Sequence, residues 1–164
     1  MKNLLKIISI FLFGVILYGC KVQQPSAEVN ATSGDKTTIT VRSTGVGKNL
    51  KEATIDAERR AFDILFFRGI PQSQQEYPMI GTNENTEKQK HKAFFDEFYG
   101  SDKDKKKGLR GRYGTFIISS SKISNSNKTI GNVRGKEVTV EMRINLLSLR
   151  RELENSKITR KFGF

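Results

Sequence analysis

The sequence predicts an α+β domain in which a small antiparallel sheet of about three strands carries one long alanine-rich helix and one or two shorter helices. Two segments, residues 38–42 and 136–145, alternate apolar with polar residues, as half-buried strands do. Between them, alanines recur at helical spacing. About 130 residues follow the export signal and tether identified below, which suits a single domain, and we place it at residues 37–155.

The first strand leads into the long helix through a glycine turn. Ile39 and Val41 should face the core, and the strand ends in the run Thr44-Gly45-Val46-Gly47. Asn49, followed three residues later by Glu52, matches a capping box and predicts the helix start. The small alanines would let the helix lie close to the sheet. Its apolar positions, spaced by three and four residues, are Leu50, Ala53, Ala57, Ala61, Ile64 and Leu65.

The middle of the chain is predicted to be a basic insertion, at about residues 84–112. A short second helix is expected within residues 86–99, which end in an aromatic run. The charge run at residues 101–108, Ser-Asp-Lys-Asp-Lys-Lys-Lys-Gly, follows it and is expected to be a solvated loop.

Two more strands and a closing helix complete the predicted domain. The strands are residues 113–121 and 136–145, and in the second Val138, Val140 and Met142 should face the core. Their link, residues 122–135, is rich in Asn, Ser and Gly and predicts a long or ragged hairpin. Leucines from Leu146 to Leu153 predict a helix of about two or three turns. Residues 156–164 form a basic tail.

Residues 1–19 have the pattern of an export signal. Lys2 and Lys6 give a basic start, and residues 7–18 form an apolar core shorter than the about 20 residues that span a bilayer. The run Leu17-Tyr18-Gly19-Cys20 closes this core with the only cysteine of the chain. It resembles the bacterial lipobox, whose cysteine receives diacylglycerol before the signal is cut away. A non-cleaved anchor, or a signal cut without lipid, is the alternative.

Lipidation of Cys20 would leave no thiol for a disulfide, for catalysis or for metal binding. The lipid would anchor the protein in a membrane, and residues 20–36, which are polar and contain Pro25 and Gly34, would be a flexible tether. Lys21 follows the cysteine without a nearby acidic residue. By resemblance to lipoproteins of bacteria with two membranes, we expect an outer-membrane anchor facing the periplasm, with the inner membrane and the cell surface as open alternatives.

Two glycine and alanine patterns also resemble known envelope proteins. The first is the run Ser43-Thr44-Gly45-Val46-Gly47 followed by Glu52, Ala53, Ala57 and Ala61. The second is residues 135–140, Gly-Lys-Glu-Val-Thr-Val, followed by Leu149 and Leu153. With these patterns, residues 37–154 resemble the small lipoprotein family associated with the flagellar sheath in the outer membrane, and the amino-terminal domain of the flagellar T-ring assembly protein. The resemblance implies a non-enzymatic role in envelope assembly or scaffolding.

The sequence offers no set of residues for nucleotide binding or catalysis, and no cofactor is expected. The turn at Gly45 and Gly47 lacks two parts of the P-loop: Arg42 stands in place of its first glycine, and Asn49 in place of its hydroxyl residue. His91, the only histidine, lies between two lysines with no nucleophile nearby.

Acidic residues have structural explanations where they gather. Asp56, Glu58 and Asp63 share the long helix with Arg59 and Arg60, so ion pairs on the helix surface are expected. Carboxylates within residues 96–104 are interleaved with lysines, which disfavours a metal site.

Net charge is the remaining functional signal, at +12 for the whole chain. Anionic lipid headgroups, phosphates of envelope polysaccharide, or an acidic partner protein are the candidate ligands, and each basic group near an anionic membrane contributes about 1 kcal/mol. Nucleic acid is not expected, because no recognition motif accompanies the charge and an exported protein normally meets none. The candidate contacts lie around the predicted loop: Lys103, Lys105, Lys106, Lys107, Arg110 and Arg112.

The sequence therefore predicts an envelope lipoprotein that is not an enzyme and acts as an interaction or assembly module for an envelope protein partner. The alternative is a tethered binder of anionic envelope polymers or lipid headgroups through the basic loop. An enzyme is the third hypothesis, and it would require an open pocket with convergent polar groups.

Overall fold

A computed structural model describes residues 29–130 and 133–159. Within these residues the chain forms a four-stranded antiparallel sheet in the order β1-β2-β4-β3, with helices on one of its faces. The α+β class is confirmed, and the expected count of about three strands is corrected to four. The strands are β1 (Asn30–Gly34), β2 (Thr38–Gly47), β3 (Ile117–Ile130) and β4 (Val133–Asn145).

The helices fall into three groups along the chain. The long helix α1 (Leu50–Phe67) follows β2, and α5 (Leu146–Asn155) follows β4. The insertion between α1 and β3 contains the remaining helices: α2 (Glu84–Lys90), α3 (Lys92–Tyr99), α4 (Asp102–Lys107) and a 3-10 helix (Arg112–Phe116).

The extra strand, β1, lies inside the segment that the sequence led us to expect as a flexible tether. It pairs antiparallel with β2, Ala31 opposite Val41, although its own residues are mostly exposed. The Asp35 carboxylate fixes the turn between the two strands by accepting hydrogen bonds from the Thr37 and Thr38 backbone N–H groups, each at 2.7 Å. Hydrogen bonding, chiefly from the Thr37 side chain, lowers the pKa of Asp35 to about 2.

Apolar and polar residues alternate along β2 and β4, so the apolar side chains share the sheet face that α1 covers. Ile39 and Val41 of β2 lie opposite Ile144 and Met142 of β4, and all four side chains are buried. Their neighbours on the other face, such as Arg42, are polar and accessible. The predicted inward residues of both strands are therefore confirmed.

Helix α1 begins at the expected cap and packs at very short range on β2. The Asn49 side chain accepts a hydrogen bond from the Glu52 backbone N–H at 3.0 Å. A Cβ atom added to Gly45 would lie 2.1 Å from the Ala57 nitrogen and 2.5 Å from the Ala53 carbonyl oxygen, both in the helix backbone. The buried Ser43 hydroxyl donates to the Ala57 carbonyl at 2.7 Å. The glycine turn thus serves the close packing of the helix on β2.

The insertion departs from the sequence prediction in three places. The second helix is divided at His91 into α2 and α3. The charge run at 101–108 is a helix, α4, in which Ser101 and Asp104 form a capping box and Gly108 adopts the left-handed conformation at the end. Tyr113, expected to begin a strand, belongs to the 3-10 helix, and β3 starts only after it.

An aromatic cluster joins the insertion to the core. The ring of Phe62 lies 5.4 Å, between centroids, from those of Phe98 and Tyr113. Phe66 contacts Phe98 and Phe95 at 5.2 and 6.2 Å. All five side chains are buried, so α3 and the 3-10 helix extend the apolar core along α1.

The hairpin expected at residues 122–135 is regular near its end. β3 and β4 pair from Ser124 opposite Thr139 to Ile130 opposite Val133, beyond two register shifts nearer the start of β3. The predicted closing helix is confirmed as α5, with buried leucines at Leu146, Leu149 and Leu153. The predicted signal, Cys20 and residues 20–28 of the expected tether lie outside the described residues, as do residues 160–164 of the tail.

We predict that Gly45→Ala destabilises the fold by about 3 kcal/mol or more, because the added methyl group would overlap the backbone of α1 and force it away from the sheet. Urea unfolding of the full chain measures this loss. Gly81→Ala is the matched control, since its added carbon would meet no atom closer than 3.8 Å. Equal stability of the two variants would contradict the close packing of α1 on β2.

Candidate functional site

A buried carboxylate, Glu58, links the insertion to the helix. Its side chain on α1 is fully buried and accepts two hydrogen bonds from the Arg110 guanidinium, at 2.9 and 2.5 Å. The Tyr113 hydroxyl and the Ser120 hydroxyl lie 3.2 and 3.3 Å from its oxygens. The hydrogen bond to Glu58 raises the pKa of Arg110, and burial raises the pKa of Tyr113. One carboxylate therefore connects α1, the loop before the 3-10 helix, and β3.

Two further polar contacts hold the insertion on the outer side of α1. Lys105 donates to Asp56 at 2.7 Å, and the Arg59 Nη2 atom donates to the Tyr99 carbonyl at 2.6 Å. Asp56 also pairs with Arg60, which is the helix-surface ion pair that the sequence predicted. The expectation for Glu58 and Asp63 was wrong, because neither makes its ion pair within α1.

Lys88 is part of this internal network. Its ammonium lies 2.7 Å from Asp63 and 2.8 Å from Glu84, and it sits 5.1 Å from the centre of the Tyr99 ring. Burial raises the pKa of Asp63 in spite of the lysine. The combined attraction of the two carboxylates raises the pKa of Lys88, although its own burial acts against this. This lysine stabilises the contact between α1 and the insertion and is not a free surface charge.

The six predicted basic contacts divide into two sets. Lys105 pairs with Asp56, Arg110 with Glu58, and Arg112 with Glu97 and Glu152. The second set has exposed side chains and no carboxylate partner among residues 29–130 and 133–159: Lys103, Lys106 and Lys107. Of the six predicted contacts, three are therefore without a carboxylate partner among the described residues, and all three lie on α4.

The sequence missed a second group of cations, which the fold brings together from three elements. A cavity of about 350 Å³ is lined by Lys51 of α1, Lys122 of β3 and Arg110 of the insertion, with Leu109 at its side. Leu109 is 52% exposed. We call these four residues the basic groove. Of these residues only Arg110 was predicted as a contact, and Lys51 and Lys122 are too far from it along the chain for a sequence signal to place them together.

The groove adjoins a long exposed strand edge. β3 has fourteen residues and lies at the end of the sheet order, so β4 is its partner on one side and no strand in the described part of the chain pairs with the other. Its residues 121–129 are all exposed. Its register shifts lie between Ile117 and Ser119 and between Lys122 and Ser124, so pairing with β4 is regular from Ser124 onward. We call the outer side of residues 124–129 the free edge.

A further cavity lies beside α5. It measures about 530 Å³ and lies between residues 73–79 and α5. Arg150 is held there by Gln75 at 2.8 Å, and the lining, which includes Glu76 and Glu154, contains no histidine or cysteine.

The remaining candidates for chemistry are equally isolated. The Nε2 atom of His91 lies 3.7 Å from Glu87, outside hydrogen-bonding distance, and has no hydrogen-bond partner in the described part of the chain. Across residues 29–130 and 133–159, no three His, Cys, Asp or Glu side chains gather in a way that could hold a metal ion. None of the helices in those residues is long and apolar enough to cross a membrane.

Comparisons with known proteins add no assignment to this geometry. No protein-family model matches the chain, and neither the curated proteins nor the solved structures gave a match. The functional argument therefore depends on the groove and the strand edge themselves.

We predict that Arg110→Met costs about 3 kcal/mol or more, because it leaves the Glu58 carboxylate buried without its charge partner. The double variant Glu58→Gln with Arg110→Met should lose less than Arg110→Met alone, since no unpaired charge then remains in the interior. Urea unfolding of the two single variants and the double variant measures the coupling.

Lys92→Met serves as the control for this prediction. Lys92 and its partner Asp96 are both largely exposed, so the loss should stay below about 1 kcal/mol. Additive losses at residues 58 and 110 would show that the two side chains are not coupled.

Proposed function

We propose that the protein is a non-enzymatic interaction module, tethered to the bacterial envelope through a lipid on Cys20, which binds a partner protein by accepting one of its strands at the free edge of β3. The observation that carries this proposal is the long exposed edge itself. The lipobox resemblance supports the tether, and the absence of a catalytic arrangement among the described side chains supports a binding role.

An exposed strand edge is suited to binding an extended chain. Its unpaired backbone N–H and C=O groups can continue the hydrogen-bonding ladder of the sheet, and side chains at alternate positions then select the partner. The free edge meets these needs because residues 124–129 are regularly paired with β4 and exposed. The opposite edge strand, β1, has only five residues and contains a register shift.

Charge disfavours pairing with a second copy in the register centred on Asn125. An antiparallel pair of two β3 strands centred on Asn125 would place Lys122 of one copy opposite Lys128 of the other at both ends. Like charges directly opposite each other destabilise a strand pair.

A second candidate function is binding of anionic lipid headgroups or envelope polymers through α4. The three exposed lysines Lys103, Lys106 and Lys107 lie on this capped helix without carboxylate partners in the described chain, which favours contact with a negatively charged surface. This function uses a different surface from the strand edge, so the two can be tested separately.

We predict that the wild-type protein carries an acyl-sized increase in mass and sediments with membranes, whereas Cys20→Ala is unmodified and stays in the supernatant. Intact mass spectrometry and membrane fractionation give both results. A soluble, unmodified wild type would refute the tether while leaving the strand edge untouched.

The edge is tested with Asn125→Pro and Ser126→Pro. Backbone N–H groups of neighbouring residues in a strand point to opposite sides, so one proline removes a bond to β4 and lowers the melting temperature, while the other removes only an outward donor. We predict that the proline variant whose melting temperature equals that of the wild type loses binding to the partner. We call it the tolerated proline variant.

Binding is followed by a photo-crosslinking residue placed at Ser121 in living cells. The wild-type chain should give a discrete adduct in which the crosslinked site of the partner lies in an extended segment. An adduct that persists in the tolerated proline variant would overturn strand addition at this edge.

A further inference from the structure

We infer that the partner segment is acidic: it carries Asp or Glu at alternate positions, and these carboxylates enter the basic groove while the segment pairs with β3. The inference rests on the proposed function and names the chemistry of the partner. It combines the groove with the free edge, which begins two residues after the groove residue Lys122 on the same strand.

The register of β3 relates the two features. Lys122 lies opposite Val140, whose side chain is buried on the sheet face that α1 covers. Lys122 lines the groove together with Lys51 of that same helix. Side chains of a strand added outside β3 would alternate between the two sheet faces, so every second one would project on the side of the groove.

The ionic groups that the groove presents are cations. Lys51 and Lys122 make no ion pair with any carboxylate of the described residues, and Glu58 is the single acidic residue of the lining. That carboxylate is fully buried and is already bound by Arg110, so it does not compete for the lysines. An entering carboxylate would therefore meet unpaired positive charge.

The surroundings of the groove reinforce this preference. Gly108, which ends α4, packs against Lys51: a Cβ atom added to it would lie 2.8 Å from the Lys51 Cβ atom. The exposed Lys106 and Lys107 come immediately before it in the chain. The side chains of Leu109 and the buried Ile55 form an apolar part of the lining, where charge pairs are screened less than in open water.

An acidic peptide accounts for more of the site than a phosphate-bearing headgroup does. A headgroup could use the lysines, but it would leave the strand edge without a role. An extended acidic segment uses the edge for backbone hydrogen bonds and the lysines for specificity, as strand addition requires. Lys122 brings the groove to β3, the strand that carries the free edge, so one ligand can reach both.

The test selects binders from a random library of linear peptides, about 12 residues long, displayed on phage, with the detergent-solubilised full chain as target. We expect the selected peptides to carry Asp or Glu at every second position. Their dissociation constants should rise about tenfold or more for the variant Lys51→Glu with Lys122→Glu. Selection on that variant should yield Lys or Arg at the same alternate positions.

The control variant combines Arg68→Glu with Lys157→Glu, which makes the same charge change at two exposed positions. Arg68 follows the last residue of α1, whereas Lys51 is in its first turn, so the two are about 25 Å apart along the helix. Affinities for the selected peptides should change less than about twofold in this variant.

Three outcomes overturn the inference, and they differ in what they leave intact. In the first outcome, the selected peptides are neutral and do not bind the tolerated proline variant. This result would refute the acidic partner and retain strand addition. Peptides that bind that proline variant as well as they bind the wild type would refute strand addition and, with it, an acidic segment paired with β3.

Absence of selected peptides, together with retention on vesicles containing anionic phospholipid that is lost in Lys51→Glu with Lys122→Glu, would make a lipid headgroup the ligand of the groove. Melting temperatures of all variants are measured in parallel, so that loss of binding is read only from folded protein.

Discussion

The close approach of α1 to β2 is the constraint on which the rest of the structure depends. Gly45 lets the helix backbone come so near that no side chain fits between the two elements. The alanines of α1 and the hydrogen bond from Ser43 to the Ala57 carbonyl belong to the same contact. Because the helix packs so closely on the sheet, one of its sides covers the inner residues of β2 and β4. The opposite side remains available for contact with the insertion.

The insertion uses that second side in two physically different ways. Aromatic rings from α3 and the 3-10 helix pack against Phe62 and Phe66 and extend the apolar core. Nearer the start of α1, the contact is polar, and the buried pair of Glu58 with Arg110 directs the chain toward β3. The basic groove exists because this polar contact brings residues 108–110 beside α1 and the edge strand.

Local patterns predicted the elements whose packing follows from their own sequence. The period of α1 and the alternation in β2 and β4 identified the core faces. β1 was missed because its polar residues do not alternate, and it becomes a strand by pairing with β2. The charge run was taken for a loop, although Ser101, Asp104 and Gly108 supply the capping signals of a helix. The burial of Glu58 could not be predicted, and neither could the presence of Lys51 and Lys122 in the lining of one groove. Both depend on the path of the insertion.

The helix α4 has no buried residue. It is held to α1 mainly by the hydrogen bond from Lys105 to Asp56 and by those from Arg59 to the carbonyl groups just before α4. A segment with so little apolar contact opens locally at a lower free energy than the sheet and core. Such opening would move Gly108 and Leu109 away from Lys51 and remove one wall of the groove. Local opening of α4, which salt would favour by screening the contact between Lys105 and Asp56, would therefore change the size and charge of the groove.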